Sequence, residues 1–189
     1  MMRLATTPHQ LMGPFYPFML EPDSSGDLTR RPGKPGRARG ELLYVMGRVL
    51  TAAGEPVRGA KVVIWQANAF GRYAHPSDTN PAPLDPDFEG FAVLGTDPLG
   101  RYRLRTIRPG GYPGAPGQSR PAHIHFDVTG RQDRVVTQMY FEDDPNNGTD
   151  PLLQGARRKD LLTVQIRSPT PDLESEAKLA IFKIVLSRG

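Results

Sequence analysis

From Leu42 onward, short hydrophobic runs alternate with polar punctuation. LLYVMGRVL predicts a strand, TAAGEPVRG its turn and AKVVIWQAN the next strand, because β-branched residues, alternation and a Gly/Pro turn agree there. FAVLG, a turn at Asp97 to Gly100, and the alternating RYRLRTI follow; AHIHFDV and RVVTQMYF are joined by TGRQD, and LLTVQIR and LAIFKIVLS close the chain. About eight short strands separated by turns define an all-β fold, an antiparallel β-sandwich or barrel whose long loops carry its chemistry. Two polar stretches are long: AFGRYAHPSDTNPAPLDPDFEG, and EDDPNNGTDPLLQGARRKD with one helical turn near Leu152. Loops of this length in a compact domain are functional or disordered, and Phe70, Tyr73 and Phe88 favour the first. Residues 1–40 predict an extended N-terminal arm, in which Phe15, Tyr16 and Phe18 dock on the body or on a partner; residues 41–189 predict one β-sandwich domain.

Twenty glycines and twenty prolines in 189 residues argue for shaped loops and against a helix bundle. The absence of cysteine removes disulfides, thiolate ligands and a thiol nucleophile. The net charge of +4 sits largely in RRPGKPGRAR, among glycines and prolines. Nucleic-acid binding would place such charges on a regular element with interleaved aromatics, so a solvated loop is expected and no nucleic-acid partner. The first twenty residues lack the apolar core of a signal peptide, and no run approaches membrane-spanning length. A cytoplasmic protein with no membrane partner is the expectation.

Two of the four histidines form an H-x-H pair, His123 and His125, in the strand AHIHFDV. Side chains two apart on a strand share a face, so both imidazoles can meet one cation. Asp127 shares that face by parity but only continues the strand, and no histidine follows His125, which fits a two-histidine, one-carboxylate triad poorly. The available oxygen donors are Tyr73 in GRYAH and Tyr112 in PGGYPG, both in glycine-rich loops. A phenol ionises near pH ~10 and needs a strong Lewis acid to ionise at neutrality. Ferric iron suits phenolate and imidazole together; copper or zinc on the two histidines is the rival. His75 is expected in a structural or supporting place, Trp65 in the core, and Asp85 and Asp87 at loop turns.

GRVLTAAGEPVRGAKVVIWQANAFGRYAH, LDPDFEGF, TDPLGRYRLRTIRPGGYP, RPAHIHFDV and TQMYFEDDP, in this order, resemble the intradiol ring-cleavage dioxygenases, most closely their protocatechuate 3,4-dioxygenase branch. The likeness is strong from about Glu41 to Pro145, and GPFYPF resembles the family's N-terminal segment. It implies a non-haem Fe(III) site with Tyr73 as equatorial and Tyr112 as axial tyrosinate, His123 and His125 as imidazole ligands, and solvent hydroxide as the fifth. Arg120 would lie beside the aromatic substrate and Gln138 near the face that meets oxygen; Tyr112 would also accept a substrate proton. The implied reaction cleaves a catechol-type diol between its hydroxyl-bearing carbons with O2, giving a cis,cis-muconate, with protocatechuate as first choice and catechol, hydroxyquinol or another substituted catechol as alternatives. The implied assembly is a homo-oligomer or an alpha/beta hetero-oligomer. A non-catalytic β-sandwich binding module is the rival from another class. Gly114 departs from the branch, where an aromatic residue commonly follows the Tyr-Pro pair, and the loop from Tyr112 to Arg120 is shorter than is usual there. Nothing resembles the added helical domain of catechol and hydroxyquinol enzymes.

Overall fold

In a computed structural model describing residues 3–18, 25–114 and 117–189, the predicted strands form two sheets packed face to face as a β-sandwich. Part of the arm, at 19–24, and positions 115–116 of the loop before Arg120 lie outside the described residues. One sheet is built on β1 (Leu42–Thr51), which pairs antiparallel with β4 (Arg101–Ile107). On its other edge β1 pairs in parallel with β10 (Lys178–Ile181) and then β11 (Ile184–Leu186). The second sheet runs in the order β3 (Phe91–Gly95), β2 (Lys61–Gln66), β7 (His123–Thr129), β8 (Arg134–Phe141) and β9 (Thr163–Val164). Its ladders are antiparallel except for β8 with β9. A small ribbon of β5 (Tyr112–Pro113) and β6 (Ser119–Arg120) stands apart.

The final apolar run, LAIFKIVLS, reads as one strand but is two. It breaks at Phe182 and Lys183, where the Phe182 carbonyl crosses Gly47 of β1 and accepts a 2.6 Å hydrogen bond from the Tyr102 hydroxyl. A Cβ at position 47 would collide with that carbonyl, so only glycine allows the crossing. The helical turn near Leu152 is α1 (Pro151–Gln154), capped by Asp150, whose carboxylate accepts from the Leu153 amide at 2.8 Å with proline in the first turn.

Both faces of the five-stranded sheet are covered. Leu43, Val45 and Leu104 from one sheet meet Val62, Ile64, Ile124, Phe126 and Val128 from the other, forming the main core. Strand alternation therefore turns His123, His125 and Asp127 to the opposite face. There Val63, Trp65, Ala67, Tyr73 and Val93 are buried beneath Met12, Phe15 and Tyr16 of the arm. The arm is anchored by backbone bonds from Leu4 to Ala52, Thr7 to Val185 and Gln10 to Val136. Phe15 packs tilted against Tyr73 (4.6 Å), Tyr16 meets the edge of Trp65 (4.9 Å) and Phe18 stacks on His75 (4.5 Å). The three arm aromatics thus dock on the body as expected. Trp65 packs on this covered outer face and not between the sheets.

Candidate metal centre

The long loop after β2 is shaped around Asn68. Its side-chain oxygen accepts from the Phe70 and Arg72 amides at 2.9 and 3.0 Å, and its backbone carbonyl accepts from Gly71 and Gly110. Gly71, at φ +79°, passes directly beneath the Gly111 carbonyl, and any side chain there would strike that oxygen. This approach brings the Tyr73 loop against the segment carrying Tyr112. The Asp78 carboxylate accepts from the Tyr73 amide at 2.7 Å, fixing the tyrosine backbone. Gly71→Ala is expected to push Gly111 and Tyr112 away and weaken retention of any metal held by Tyr73 and Tyr112 roughly 10–100-fold, the range for groups that orient ligands. Competition with a chelator measures it, and wild-type retention would contradict the role.

Four rings close on one another. Ring centroids lie 5.5 Å apart for Tyr73 and Tyr112, 5.3 Å for Tyr112 and His123, 4.9 Å for His123 and His125, and 6.2 Å for Tyr73 and His125. The sequence separates these residues by up to 52 positions, yet the fold returns them to one circuit. His123 Nδ1 lies 2.7 Å from the Pro121 carbonyl, which can only accept, so the proton sits on Nδ1 and the lone pair on Nε2. That Nε2 faces the Tyr112 hydroxyl at 3.1 Å and Arg120 Nη1 at 3.4 Å. The Tyr73 hydroxyl and His125 Nδ1 are buried with no hydrogen-bond partner among the described residues. The His125 ring lies flat on Trp65, at 4.7 Å and 10°.

Burial sets the protonation of all four. It pushes His123 down to about 3, helped by the Arg120 charge, and drives His125 well below its ordinary value, with His123 and Arg120 adding to the effect. Burial also raises Tyr73 well above the usual phenol value, reinforced by Tyr112. Tyr112 is raised by burial against the opposing pull of Arg120. Without a cation the site therefore holds two neutral imidazoles and two neutral phenols. An orphaned phenol, a lone pair aimed at a second phenol and neutral imidazoles are the donor set that a hard, strongly acidic cation takes, and they fit ferric iron. Among the described residues no group of three or more His, Cys, Asp or Glu side chains gathers as a metal site. Asp127 is engaged instead by Arg134, at 2.8 and 2.9 Å, and by the Tyr16 hydroxyl at 2.9 Å.

These depressed histidines give a sign for acid stability. Below the ordinary imidazole value near ~6.5 the unfolded chain takes up protons that the native metal-free protein refuses. Metal-free protein is expected to lose stability as pH falls from about 6.5 towards about 3, by up to about 1.4 kcal/mol per pH unit for each histidine. Urea midpoints across this range test it; a flat profile in the wild type, or an equal slope in His123→Gln, would contradict it.

Arg120 stands over the circuit on β6. Its Nε donates to Asp150 at 2.8 Å, and its Nη2 donates to Gln138 Oε1 and the Tyr140 hydroxyl, each at 3.0 Å. Asp150 is wholly buried and Arg120 largely so. Gln138 faces His125 across the β7–β8 ladder and donates from Nε2 to the Leu11 carbonyl at 2.7 Å, tying the arm to the site. Asp150 and the Tyr140 hydroxyl were not singled out by sequence. The D-P-L-L pattern does signal a helix cap, but the carboxylate's second bond, to an arginine 30 positions away, has no local trace. His75 lies outside the circuit: Nδ1 accepts from Ser77 at 3.1 Å and the ring packs under Phe18. Asp85 accepts from the amides of Asp87 and Arg39, the turn-fixing role expected of it.

Residues 11–188 match the Dioxygenase_C family model, described as dioxygenase. The chain belongs to this family, the intradiol ring-cleavage dioxygenases. It is 50% identical over 133 residues to the protocatechuate 3,4-dioxygenase beta chain of Burkholderia cepacia, covering 68% of this chain and 57% of that one. It is 31% identical over 202 residues to a catechol 1,2-dioxygenase of Acinetobacter baylyi, covering 96% and 62%. The chain thus spans about three fifths of the length of these two curated relatives. Among solved structures it superposes on the dioxygenase domain of a dioxygenase–carbohydrate-binding protein fusion from Streptomyces sp. SirexAA-E, with TM-score 0.74, 28% identity and coverage of 98% and 100%.

Proposed function

We propose that this protein is a non-haem Fe(III) dioxygenase that cleaves a catechol-type diol between its two hydroxyl-bearing carbons, with protocatechuate, giving 3-carboxy-cis,cis-muconate, as its substrate. The observation that carries the reading is the closed circuit of Tyr73, Tyr112, His123 and His125 beneath a buried arginine. These four side chains would hold the metal. Ferric iron, when bound, would ionise the phenols and draw electron density from a chelated diol so that its ring carbon reacts with dioxygen. Both oxygen atoms enter the product, so the diol and O2 balance the muconate with no outside reductant.

The chain's own residues supply the rest. Tyr112, partly buried and facing His123 Nε2, would take a diol proton on its oxygen once the bound metal has ionised it to a phenolate. Arg120 cannot lose its charge under these conditions and offers guanidinium hydrogens where negative charge builds on the substrate oxygens. Gln138 and Asp150 hold that guanidinium in place, and Trp65 fixes the plane of His125. The arm, residues 1–40, acts as a cover through Phe15, Tyr16 and the Leu11 carbonyl, over a catalytic body of residues 41–189. Gly114 has Arg120 Cγ 3.1 Å from where a Cβ would stand, so a side chain there would crowd the Arg120 stem, which glycine lets lie close. Catechol and hydroxyquinol are the next substrates to try, as the catechol 1,2-dioxygenase relative suggests. Exposed Leu11 and Phe18 beside the site support a working form that is a homo-oligomer or an alpha/beta pair. No helix among the described residues is long and apolar enough to cross a membrane, and a cytoplasmic setting is part of this proposal.

Oxygen uptake with mass analysis of the product tests the reaction. One O2 consumed per diol, and a ring-opened acid with two new carboxyl groups at the diol's mass plus O2 (a triacid from protocatechuate), is the expected result. An aldehyde product of cleavage beside the diol, or no oxygen uptake by iron-loaded protein, would overturn it.

A further inference from the structure

The two imidazoles of the circuit are held in different ways. His123 is fixed by the hydrogen bond between its Nδ1 and the Pro121 carbonyl at 2.7 Å. Metal-ligating histidines ordinarily have their second ring nitrogen held by such an acceptor. His125 does not, since its Nδ1 is buried with no partner among the described residues. Its ring plane is therefore set by what packs against it. The β2–β7 register puts Trp65 opposite His125, and the indole lies flat on the imidazole at 4.7 Å and 10°. The arm passes the same ring at Gly13, where a Cβ would stand 3.5 Å from His125 Cε1.

Trp65 in turn has no polar anchor, because its Nε1 is also buried without a partner among the described residues. The directional fixing of this stack comes from the arm. The Tyr16 ring meets Trp65 edge-on, at 4.9 Å and 75°. Its hydroxyl donates to Asp127 Oδ2 at 2.9 Å, and Arg134 clamps the same carboxylate at 2.8 and 2.9 Å. Asp127 is only 4% exposed and follows His125 by two residues on the same face of β7. A hydrogen bond to a buried carboxylate is stronger than one between neutral groups, so the Tyr16 ring is the firmly fixed end of the stack. The contacts close on themselves: from His125 along β7 to Asp127, out to Tyr16, and back through Trp65 to the imidazole.

We infer that Tyr16 is a positioning residue for His125: its hydroxyl pins its ring against Trp65, and Trp65 holds the imidazole in the plane in which it meets the metal. The arm is thereby part of the geometry of the site as well as its cover. Tyr16 touches no reacting atom. The consequence for the metal rests on the reading proposed above, whereas the hold on the imidazole plane does not.

The test begins with ring NMR of histidine-labelled, metal-free protein, in which only four histidines give signals and His125→Gln identifies those of His125. Protons of a ring stacked on an indole face are shifted upfield. In Tyr16→Ala the His125 signals are expected to move downfield as the stack loosens, while those of His123 stay in place. Tyr16→Phe keeps the ring and loses the bond, and is expected to give a smaller shift in the same direction. Thr7→Val is the control for a loosened arm: Thr7 Oγ1 accepts from the Val185 amide at 2.9 Å, away from the stack, and its loss is expected to leave the His125 signals unchanged. A His125 signal that Tyr16→Ala or Tyr16→Phe leaves in place, or that Thr7→Val moves as far, overturns the inference. In iron-loaded protein, Tyr16→Ala is expected to release iron to a chelator roughly tenfold faster than wild type. Release at the wild-type rate overturns the role at the metal. If wild type binds no iron, the metal reading falls instead, and the His125 signals alone decide whether Tyr16 holds the ring.

Discussion

Replacing Arg120 by alanine is expected to lower kcat by roughly 10²–10³-fold while iron stays bound, the scale seen when one preorganised donor to a developing oxyanion is removed. The Arg120 side chain is largely buried, and its guanidinium is held at three corners by Asp150, Gln138 and Tyr140. Arginine held so rigidly needs no reorganisation as charge develops on the substrate, and the scarcity of water strengthens its field. Removing it also leaves Asp150 buried without its partner, which costs stability of about 3–5 kcal/mol. Two variants separate these effects. Arg120→Lys keeps a charge but cannot reach all three partners, and is expected to recover stability more than turnover. Asp150→Asn keeps a polar cap on α1 while loosening Arg120, and is expected to lose turnover to a smaller degree. Wild-type kcat in iron-loaded Arg120→Ala, with the metal content confirmed, would remove the arginine from the chemistry.

His125→Ala and His123→Ala are each expected to abolish iron retention through dialysis against a chelator. The two differ in their structural side effects. His125 is clamped flat against Trp65 and edge-on to Tyr73, so its loss opens a void in a packed aromatic cluster. His123 is tethered by the Pro121 carbonyl and sits beside Tyr140, so its loss leaves that carbonyl short of a donor. The His→Gln versions fill most of the space, and a folded but iron-free His125→Gln protein is the decisive outcome. Iron held at wild-type stoichiometry by either alanine variant would show that the circuit is not the metal site.

Much of the fold was legible because each main strand carries a local signature. β1, β2, β4, β7 and β8 are apolar or alternating runs ended by Gly, Pro or Asp turns, and the polar loops stand out against them. The H-x-H parity was equally legible, since a strand fixes which face residues two apart share. What escaped was set by contacts between distant segments. The break at Phe182 depends on a crossing with Gly47, and the parallel partners of β1 come from the far end of the chain. Trp65 was expected in the core and is buried, but its ring stacks on His125 because β2 and β7 are neighbours in register, Trp65 opposite His125. Asp150 announced a helix cap and nothing more. Its grip on Arg120 exists only because β6 is brought against the loop that follows β8. Tyr73 and Tyr112 could be named as oxygen donors from composition, and as a pair from the family resemblance. Their mutual contact rests on Gly71 passing under Gly111, a fit with no signal in spacing.

In the proposed reaction Tyr73, Tyr112, His123 and His125 would hold one ferric ion that the diol chelates. The visible absorption spectrum of iron-loaded protein, recorded anaerobically before and after addition of protocatechuate, tests it most directly. A broad tyrosinate-to-iron band is expected, one that shifts when the diol is added and that changes in Tyr73→Phe and in Tyr112→Phe. A colourless protein with iron confirmed bound, or a band that both phenylalanine variants leave untouched, would contradict it.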